Sequence, residues 1–268
     1  MINRICISIN NRCNLACRYC HFQEKKPIES VDMDVFKILD NVKAYASSDF
    51  KIGFVGNGEA FLDWPLLKSY IQYISDTELI SAYTITNGTV TLPDEEIQFL
   101  EEHKINVGFS VDGYRELHNL NRCNSFDRAM INIEKYKYIT GHYPTFNATV
   151  SAESLANADK VISFFAQFGT RITFSRLIGK HGISLDSYRE FLDRAEKSIS
   201  IRRGAIDCTM YGGQCGAGIN NFFFANGNIY YCGNCIDFSP LCPSGTSFFN
   251  LGKISLDFNR QYCYKESV

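Results

Sequence analysis

The sequence predicts an α/β fold: a parallel sheet built from strand–helix units, followed by a small cysteine-rich extension. Two observations predict it. Short apolar strands alternate with amphipathic helices from Arg4 to Ile178, the pattern of repeated βαβ units. The 11 cysteines are unevenly placed: Cys13, Cys17 and Cys20 share one loop, six lie from Cys208 to Cys263, and only Cys6 and Cys123 stand alone. Periodicity fits a doubly wound sheet or an open barrel equally, and in either one ligands sit beyond the carboxyl ends of the strands.

Arg4–Ile9 alternates as a first strand, with Cys6 opposite Ile5, Ile7 and Ile9 on a face that a barrel would turn inward. Met33–Tyr45 is helical, with Val35, Ile38, Leu39 and Val42 on one side, and Lys51–Val55 is a strand running into Gly56-Asn57-Gly58-Glu59. Trp64–Ser75 is a helix, and Ala82–Thr86 is a strand ending in Thr86-Asn87-Gly88. Pro93 opens a helix over Asp94–Glu102, and Asn106–Ser110 is a strand running into Val111-Asp112-Gly113. Phe126–Tyr138 and Leu155–Phe168 are helices, separated by the strand Phe146–Val150, and Thr170–Ile178 is the sixth strand. Ser184 caps a bridging helix bearing Tyr188, Phe191 and Leu192, and Gly204 ends it, dividing the chain into 1–203 and 204–268. Phe222–Phe224 and Ile229–Tyr231 flank Asn226-Gly227 as a β-hairpin.

The composition excludes several classes. With 45% hydrophobic and 14% aromatic residues the chain can bury a large core. Lys plus Arg is 27 and Asp plus Glu is 29, so no global basic field draws nucleic acid or a membrane surface. No apolar run approaches the roughly 18 residues of a membrane helix, and residues 1–10 lack the apolar core of a signal peptide. The expected location is the cytoplasm, where clustered cysteines serve metal or redox chemistry rather than disulfides. The isolated Cys6 and Cys123 are expected to be small buried apolar side chains, Cys6 keeping a functional role open if its face lines a barrel.

Cys13-x3-Cys17-x2-Cys20 is a metal loop with three readings. Three thiolates plus His21 make a zinc site. Cys17-Arg-Tyr-Cys20-His21 spells a covalent haem attachment, but leaves Cys13 unused and calls for export. The third is an iron–sulfur cluster held by three cysteines, with one iron open to another ligand. CxxxCxxC directly after a first strand, with the aromatic Tyr19 before the last cysteine, resembles the radical S-adenosylmethionine (SAM) enzymes. That resemblance implies an open (β/α)6 partial barrel. It also implies a [4Fe–4S] cluster on Cys13, Cys17 and Cys20 whose open iron chelates SAM, and an external electron donor. The chemistry implied is a 5′-deoxyadenosyl radical that removes hydrogen from unactivated carbon, with the protein supplying position and exclusion of water.

By the same resemblance Gly56-Asn57-Gly58-Glu59 stands where these enzymes carry Gly-Gly-Glu-Pro against the methionine amino group. Asn57 replaces a Gly and Ala60 the Pro, and Asn is expected to tolerate a left-handed backbone there. Asn87, Ser110 and Asp112 are expected on the adenine and ribose side, and Tyr19 in the SAM pocket. Without the resemblance each segment is a plain strand-exit turn. Ser110-Val-Asp-Gly, then His118-x3-Arg122, then Ser125-Phe126 resembles a signature of the sulfatase-maturing and peptide-modifying branch. His118 is either part of that site or a satisfied structural histidine.

Cys208-x6-Cys215, then Gly227-x4-Cys232, Cys235, Cys242 and Cys263 resembles the SPASM or twitch extension. The alternative is a zinc ribbon. The resemblance implies an auxiliary [4Fe–4S] cluster on Cys208, Cys215, Cys232 and Cys263, with Cys235 or Cys242 as substitutes for Cys263, and about eight irons per chain. The expected activity is that of a radical SAM oxidoreductase and peptide maturase acting on a ribosomally made precursor peptide, by carbon–carbon or thioether cross-linking. Alternatives are a small-molecule dehydrogenase, a peptide epimerase, or a non-enzymatic zinc module. Sulfatase maturases carry a presumed basic aspartate directly after the cysteine equivalent to Cys232; here that position is Gly233, with Asp237 nearby, which argues against formylglycine formation. The first strand begins close to Met1, so a separate leader-binding protein, or the enzyme's own sheet edges, is expected to hold the precursor. The catalytic residues themselves are not legible in the sequence.

Overall fold

The computed structural model describes residues 2–20, 35–46, 49–202, 217–218, 220–233 and 240–251. Six strands, β1 (Arg4–Ile7), β2 (Phe50–Phe54), β3 (Ile80–Thr86), β4 (Asn106–Ser110), β5 (Thr145–Val150) and β6 (Ile172–Arg176), pair in parallel in chain order. Helices α1 (Val35–Tyr45), α2 (Trp64–Ile74), α3 (Asp94–Glu102), α4 (Arg115–Asn121), α5 (Phe126–Thr140), α6 (Ala152–Ala156) and α7 (Ala158–Ala166) lie between them, and α8 (Leu185–Ala195) follows. This is the expected α/β partial barrel.

The strand period separates two faces. On β5, Phe146, Ala148 and Val150 are buried while Thr145, Asn147 and Thr149 are half-exposed. On β6, Ile172 and Phe174 are buried while Thr173 and Ser175 are half-exposed. The buried set packs against helices: Phe146 meets Phe165 and Phe168 at 5.6 and 4.9 Å, and Phe174 meets Phe191 edge-on at 5.0 Å. The half-exposed polar set of β5 and β6 lines the other face, the lumen side, while Phe223 and Ala225 make that face apolar near β1.

Two local features depart from the sequence reading. Arg115–Asn121 is helical, because Leu117, His118 and Asn121 turn inward together, too short a pattern to read as a period. Leu155–Phe168 divides at Asn157, whose side chain bonds the Glu153 carbonyl at 3.0 Å; the first piece opens with a Ser151–Ser154 capping box. Pro93 and Ser184 cap their helices as expected, the Ser184 hydroxyl accepting from Ser187 N at 3.1 Å.

The hairpin forms over β7 (Asn221–Ala225) and β8 (Asn228–Tyr230), with Asn226 and Gly227 at φ 52 and 73, the left-handed pair of a two-residue turn. It is not a separate layer. β7 pairs in parallel with β1, matching Arg4 to Asn221 and Ile7 to Phe224. A short β9 (Cys242–Pro243) follows β8, giving the order β6-β5-β4-β3-β2-β1-β7-β8-β9. A last helix, α9 (Phe248–Leu251), packs Phe248 on Phe50 at 6.0 Å. At the opposite edge Ile172 N donates to Ser200 O and Arg202 N to Ile172 O, at 2.9 and 2.8 Å, so that edge is already partly paired. No helix among the described residues is long and apolar enough to cross a membrane.

Candidate active site

The loop carrying Cys13, Cys17 and Cys20 leaves the carboxyl end of β1 and is held from four sides. From β2, Glu59 N donates to Arg12 O at 2.7 Å and Asn10 Nδ2 to Glu59 O at 3.0 Å. Gly58 is required for that approach: a Cβ there would lie 1.9 Å from Asn10 Oδ1 and 2.4 Å from Arg12 O. Gly56 meets Ser8 in the same way, its Cβ position 2.5 Å from the serine side chain, and Ser8 Oγ accepts from Asn57 N at 3.0 Å. So Gly56 and Gly58 are there for backbone closeness. Asn57 is not among the described residues with positive φ, so the left-handed tolerance expected of it is not used; its amide bonds Asn11 Oδ1 at 3.1 Å instead.

From β3, Asn87 Nδ2 donates to Asn14 Oδ1 at 2.8 Å and lies 3.8 Å from Cys13 Sγ, while its Oδ1 accepts from Thr89. Asn87 thus faces the cysteine loop. Glu59 ties the two strand exits together: its buried carboxylate accepts from Asn87 N, Thr86 Oγ1 and Phe61 N at 2.6, 2.7 and 3.1 Å. Burial raises its pKa against the pull of those donors.

From α4, Asn121 O accepts from Arg18 N at 2.9 Å and Cys123 Sγ bonds Ala16 O at 2.8 Å. Cys123 is exposed with φ 54, not the buried apolar filler expected. Tyr19 donates its hydroxyl to Asp112 Oδ2 at 2.7 Å, and its ring lies 5.5 Å from the Arg122 guanidinium. Asp112 is 1% exposed; it also accepts from Thr149 N at 3.0 Å and forms an ion pair with Arg122 Nε at 3.1 Å, off the N–H axis. Burial works against its charge, but Arg122 and the hydrogen bonds outweigh it and hold the carboxyl below its ordinary range. His118, wholly buried, bonds Ser125 Oγ through Nε2 at 2.9 Å and is lowered to about 4 by burial. Asp112 and Arg122 of the Ser110–Phe126 signature thus buttress the cysteine loop, while His118 is buried with Nε2 bonded to Ser125 and Nδ1 without a hydrogen-bond partner. Ser110 is half-exposed at the lumen end of β4, beside Asn147.

From the hairpin, Asn226 Oδ1 accepts from Asn11 Nδ2 at 2.9 Å. Cys6 is half-buried in the lumen with its thiol 3.4 Å from the Tyr83 hydroxyl, so of the two isolated cysteines it is the one on the inward face. Cys232 closes the hairpin, while Cys242 pairs with Ile229 on the helix-facing side. Cys208, Cys215, Cys235, Cys263 and His21 lie outside the described residues. Among the described residues no three metal-ligating side chains converge at single-ion distance. Burial raises the Cys13 thiol and pushes Cys17 up to about 12, with Arg122 pulling the latter down. Sequence reasoning missed Ser8, Asn10, Asn11 and Asn226, polar groups whose only local signal is the Asn-Asn pair before the first cysteine.

The radical SAM superfamily profile matches residues 7–142. Curated relatives include cysteine-type anaerobic sulfatase-maturating enzymes of Clostridium novyi, 26% identical over 58% of this chain and 46% of theirs, and of Clostridium perfringens, 24% identical over 82% and 71%. The chain thus spans about half the length of the first of these. In solved structures the fold recurs in native anSMEcpe with bound AdoMet, at TM-score 0.76 and 21% identity over 97% of this chain and 82% of that one. It recurs again in Streptococcus suis SuiB bound to precursor peptide SuiA, at 0.74 and 14% over 100% and 67%. The profile spans the cysteine loop, its glycine-rich partner and the buttress, and the chain belongs to the radical SAM superfamily, whose enzymes use a [4Fe–4S] cluster and SAM.

Proposed function

We propose that this radical SAM enzyme modifies a ribosomally made peptide by oxidative cross-linking, forming a carbon–carbon or thioether bond. The observation that supports it best is the lumen face of β5 and β6, where Thr145, Asn147, Thr149, Thr173 and Ser175 are half-exposed polar positions. Two of the fold's relatives, SuiB with precursor peptide SuiA and anSMEcpe with a Cp18Cys peptide, have peptides bound.

Cys13, Cys17 and Cys20 fit as ligands of the SAM-binding cluster: three thiols on one braced loop, whose protons iron displaces on binding. A cubane offers each thiolate its own iron, so its ligands need not converge on one point as zinc ligands do. The SAM side fits as well, since Asn57 Oδ1 is a buried acceptor with no donor, in the segment the family sets against the methionine amino group. When bound, cluster and SAM supply a 5′-deoxyadenosyl radical that takes a hydrogen atom from carbon. The chain's own part is to position: Asn87 lies against Cys13, and Tyr19, Asp112 and Arg122 lock the end of the loop. Ser110 and Asn147 face the lumen where substrate would lie.

Cys208, Cys215, Cys232 and Cys263 are the residues that would hold an auxiliary [4Fe–4S] cluster, which would supply an acceptor for the second electron of a two-electron oxidation. The division at residue 204 then marks an extension built onto the β1 edge. Gly233 stands where sulfatase maturases carry the presumed basic aspartate, which supports cross-linking over formylglycine formation. Epimerisation is the second reading, favoured by the Cys6 thiol in the lumen as a hydrogen-atom donor.

The test is anaerobic incubation with SAM, dithionite and a candidate precursor peptide. Cross-linking gives 5′-deoxyadenosine and a peptide lighter by about 2 Da, as for any two-electron oxidation. Cys17→Ala loses both, whereas Cys232→Ala still cleaves SAM without finishing the product. Unchanged mass with deuterium taken up from solvent means epimerisation, and an iron content near four, rather than about eight, removes the auxiliary cluster.

A further inference from the structure

The end of the lumen opposite the cysteine loop has a charge pattern that the function above does not use. Among the described residues, no strand of the sheet contains an Asp or Glu. Arg4 and Lys51, at the start of β1 and β2, stand side by side in register on the face that also carries Cys6 and Gly53. Arg171, directly before β6, continues the alternation of the lumen positions Thr173 and Ser175. Arg202 is hydrogen-bonded through its backbone to Ile172 on the same edge. Residues 4, 51 and 171 are far apart in sequence, yet all sit at the amino ends of strands, and Arg202 lies beside the start of β6, so the topology gathers them at one mouth.

Like charges directly opposite on neighbouring strands destabilise a sheet. The neighbourhood relieves this little. Arg4 is 5% exposed, its guanidinium stacks on Tyr83 at 5.1 Å, and its Nε is buried without a hydrogen-bond partner. Lys51 is depressed by burial first and then by Arg202, Arg4 and Arg171, with Asp49 opposing. A guanidinium whose buried Nε lacks a hydrogen-bond partner, beside further cations, is a site short of an anion.

We propose that the amino-terminal mouth of the barrel lumen is an anion site that holds a carboxylate of the peptide substrate, with Arg4, Lys51 and Arg171 as its cations. This rests on the peptide-modifying reading and names the substrate class: a peptide with an acidic side chain, or its terminal carboxylate, some residues from the position that is modified. The site anchors the chain at one end of the lumen while the radical acts at the other.

The test uses the full chain, anaerobically reconstituted, and three fluorescein-labelled probes: hexaglutamate amide, hexaglutamine amide and hexaglutamine free acid. Anisotropy should show hexaglutamate amide binding about ten-fold tighter than hexaglutamine amide, the gap closing in high salt. If the free acid also binds tightly, the terminal carboxylate is the source; if only hexaglutamate does, side chains are. Lys51→Gln with Arg171→Gln, at exposed positions that leave the core alone, should remove most of that advantage, with iron content and circular dichroism unchanged. Equal binding of the two amides by the wild-type protein overturns the proposal, as does an undiminished preference in the double variant. Release of 5′-deoxyadenosine by the wild-type protein without any probe tests the enzymatic reading separately.

Discussion

The hydroxyl of Tyr19 donates to the carboxylate of Asp112 at 2.7 Å, across 93 residues of sequence. It joins the cysteine loop to the carboxyl end of β4, and Arg122 completes the knot from α4. Asp112 is the carboxylate in ion-pair contact with Arg122 and the largest of the charges that offset its burial, so the three residues respond to mutation unequally.

Asp112→Asn should be severe. It leaves the Arg122 guanidinium buried without its carboxylate, a loss of about 3–5 kcal/mol. Tyr19→Phe removes one of three partners of Asp112 and should cost about 1 kcal/mol. Chemical denaturation of both variants, with iron per chain measured in parallel, checks the ranking; equal losses would mean that Arg122 is neutralised elsewhere.

Gly58→Ala should loosen the cysteine loop. The new methyl overlaps Asn10 Oδ1 and Arg12 O, and Arg12 O belongs to backbone that cannot swing away. Overpacking of this kind costs roughly 1–3 kcal/mol. The expected signature is a larger fall in iron content and SAM affinity than in melting temperature, because the strain falls on the loop. Gly141→Ala, whose Cβ would meet nothing within 4 Å although its φ is 82, is the control for a local backbone penalty without a clash.

His118 sets a pH dependence. In the unfolded chain it protonates at its ordinary 6.5, but in the buried site only near 4. The unfolded state therefore binds the proton first. Stability from this residue is complete above pH 6.5 and is lost as pH falls toward 4, by up to about 3 kcal/mol. His118→Gln should be less stable at pH 7.5, for want of the Ser125 bond, yet its stability should fall less between pH 6.5 and 4.5. Parallel slopes for the two proteins would show that His118 does not titrate in this range.

Asn226→Gly separates two roles of one residue. Glycine keeps the left-handed backbone of the hairpin turn but deletes the amide that accepts from Asn11. The hairpin should persist while its hold on the cysteine loop weakens, seen as faster amide exchange at residues 10–14 with residues 222–224 still protected. Loss of protection in both segments would show that the turn itself depends on the side chain.

Much of this molecule is local and therefore legible in the sequence. The strand and helix periods, the proline and serine caps, the Asn-Gly turn and the CxxxCxxC spacing each depend on residues a few positions apart, and they yielded the strand–helix alternation and the family. What lay beyond reach is what chain closure decides. Parallel pairing of Arg4–Ile7 with Asn221–Phe224 has no signature in either segment, since a parallel neighbour is chosen by the whole sheet. Gly58 reads as a turn residue until Asn10 and Arg12 arrive against it, and Asp112 reads as a ligand until Tyr19, Thr149 and Arg122 claim its carboxylate. Cys123 reads as core until a left-handed backbone turns it out toward the loop. The chemical types of the site are set by the sequence itself. Which of them face a ligand and which brace the loop is set by burial, because a buried polar group must spend its hydrogen bonds on whatever the fold brings within reach.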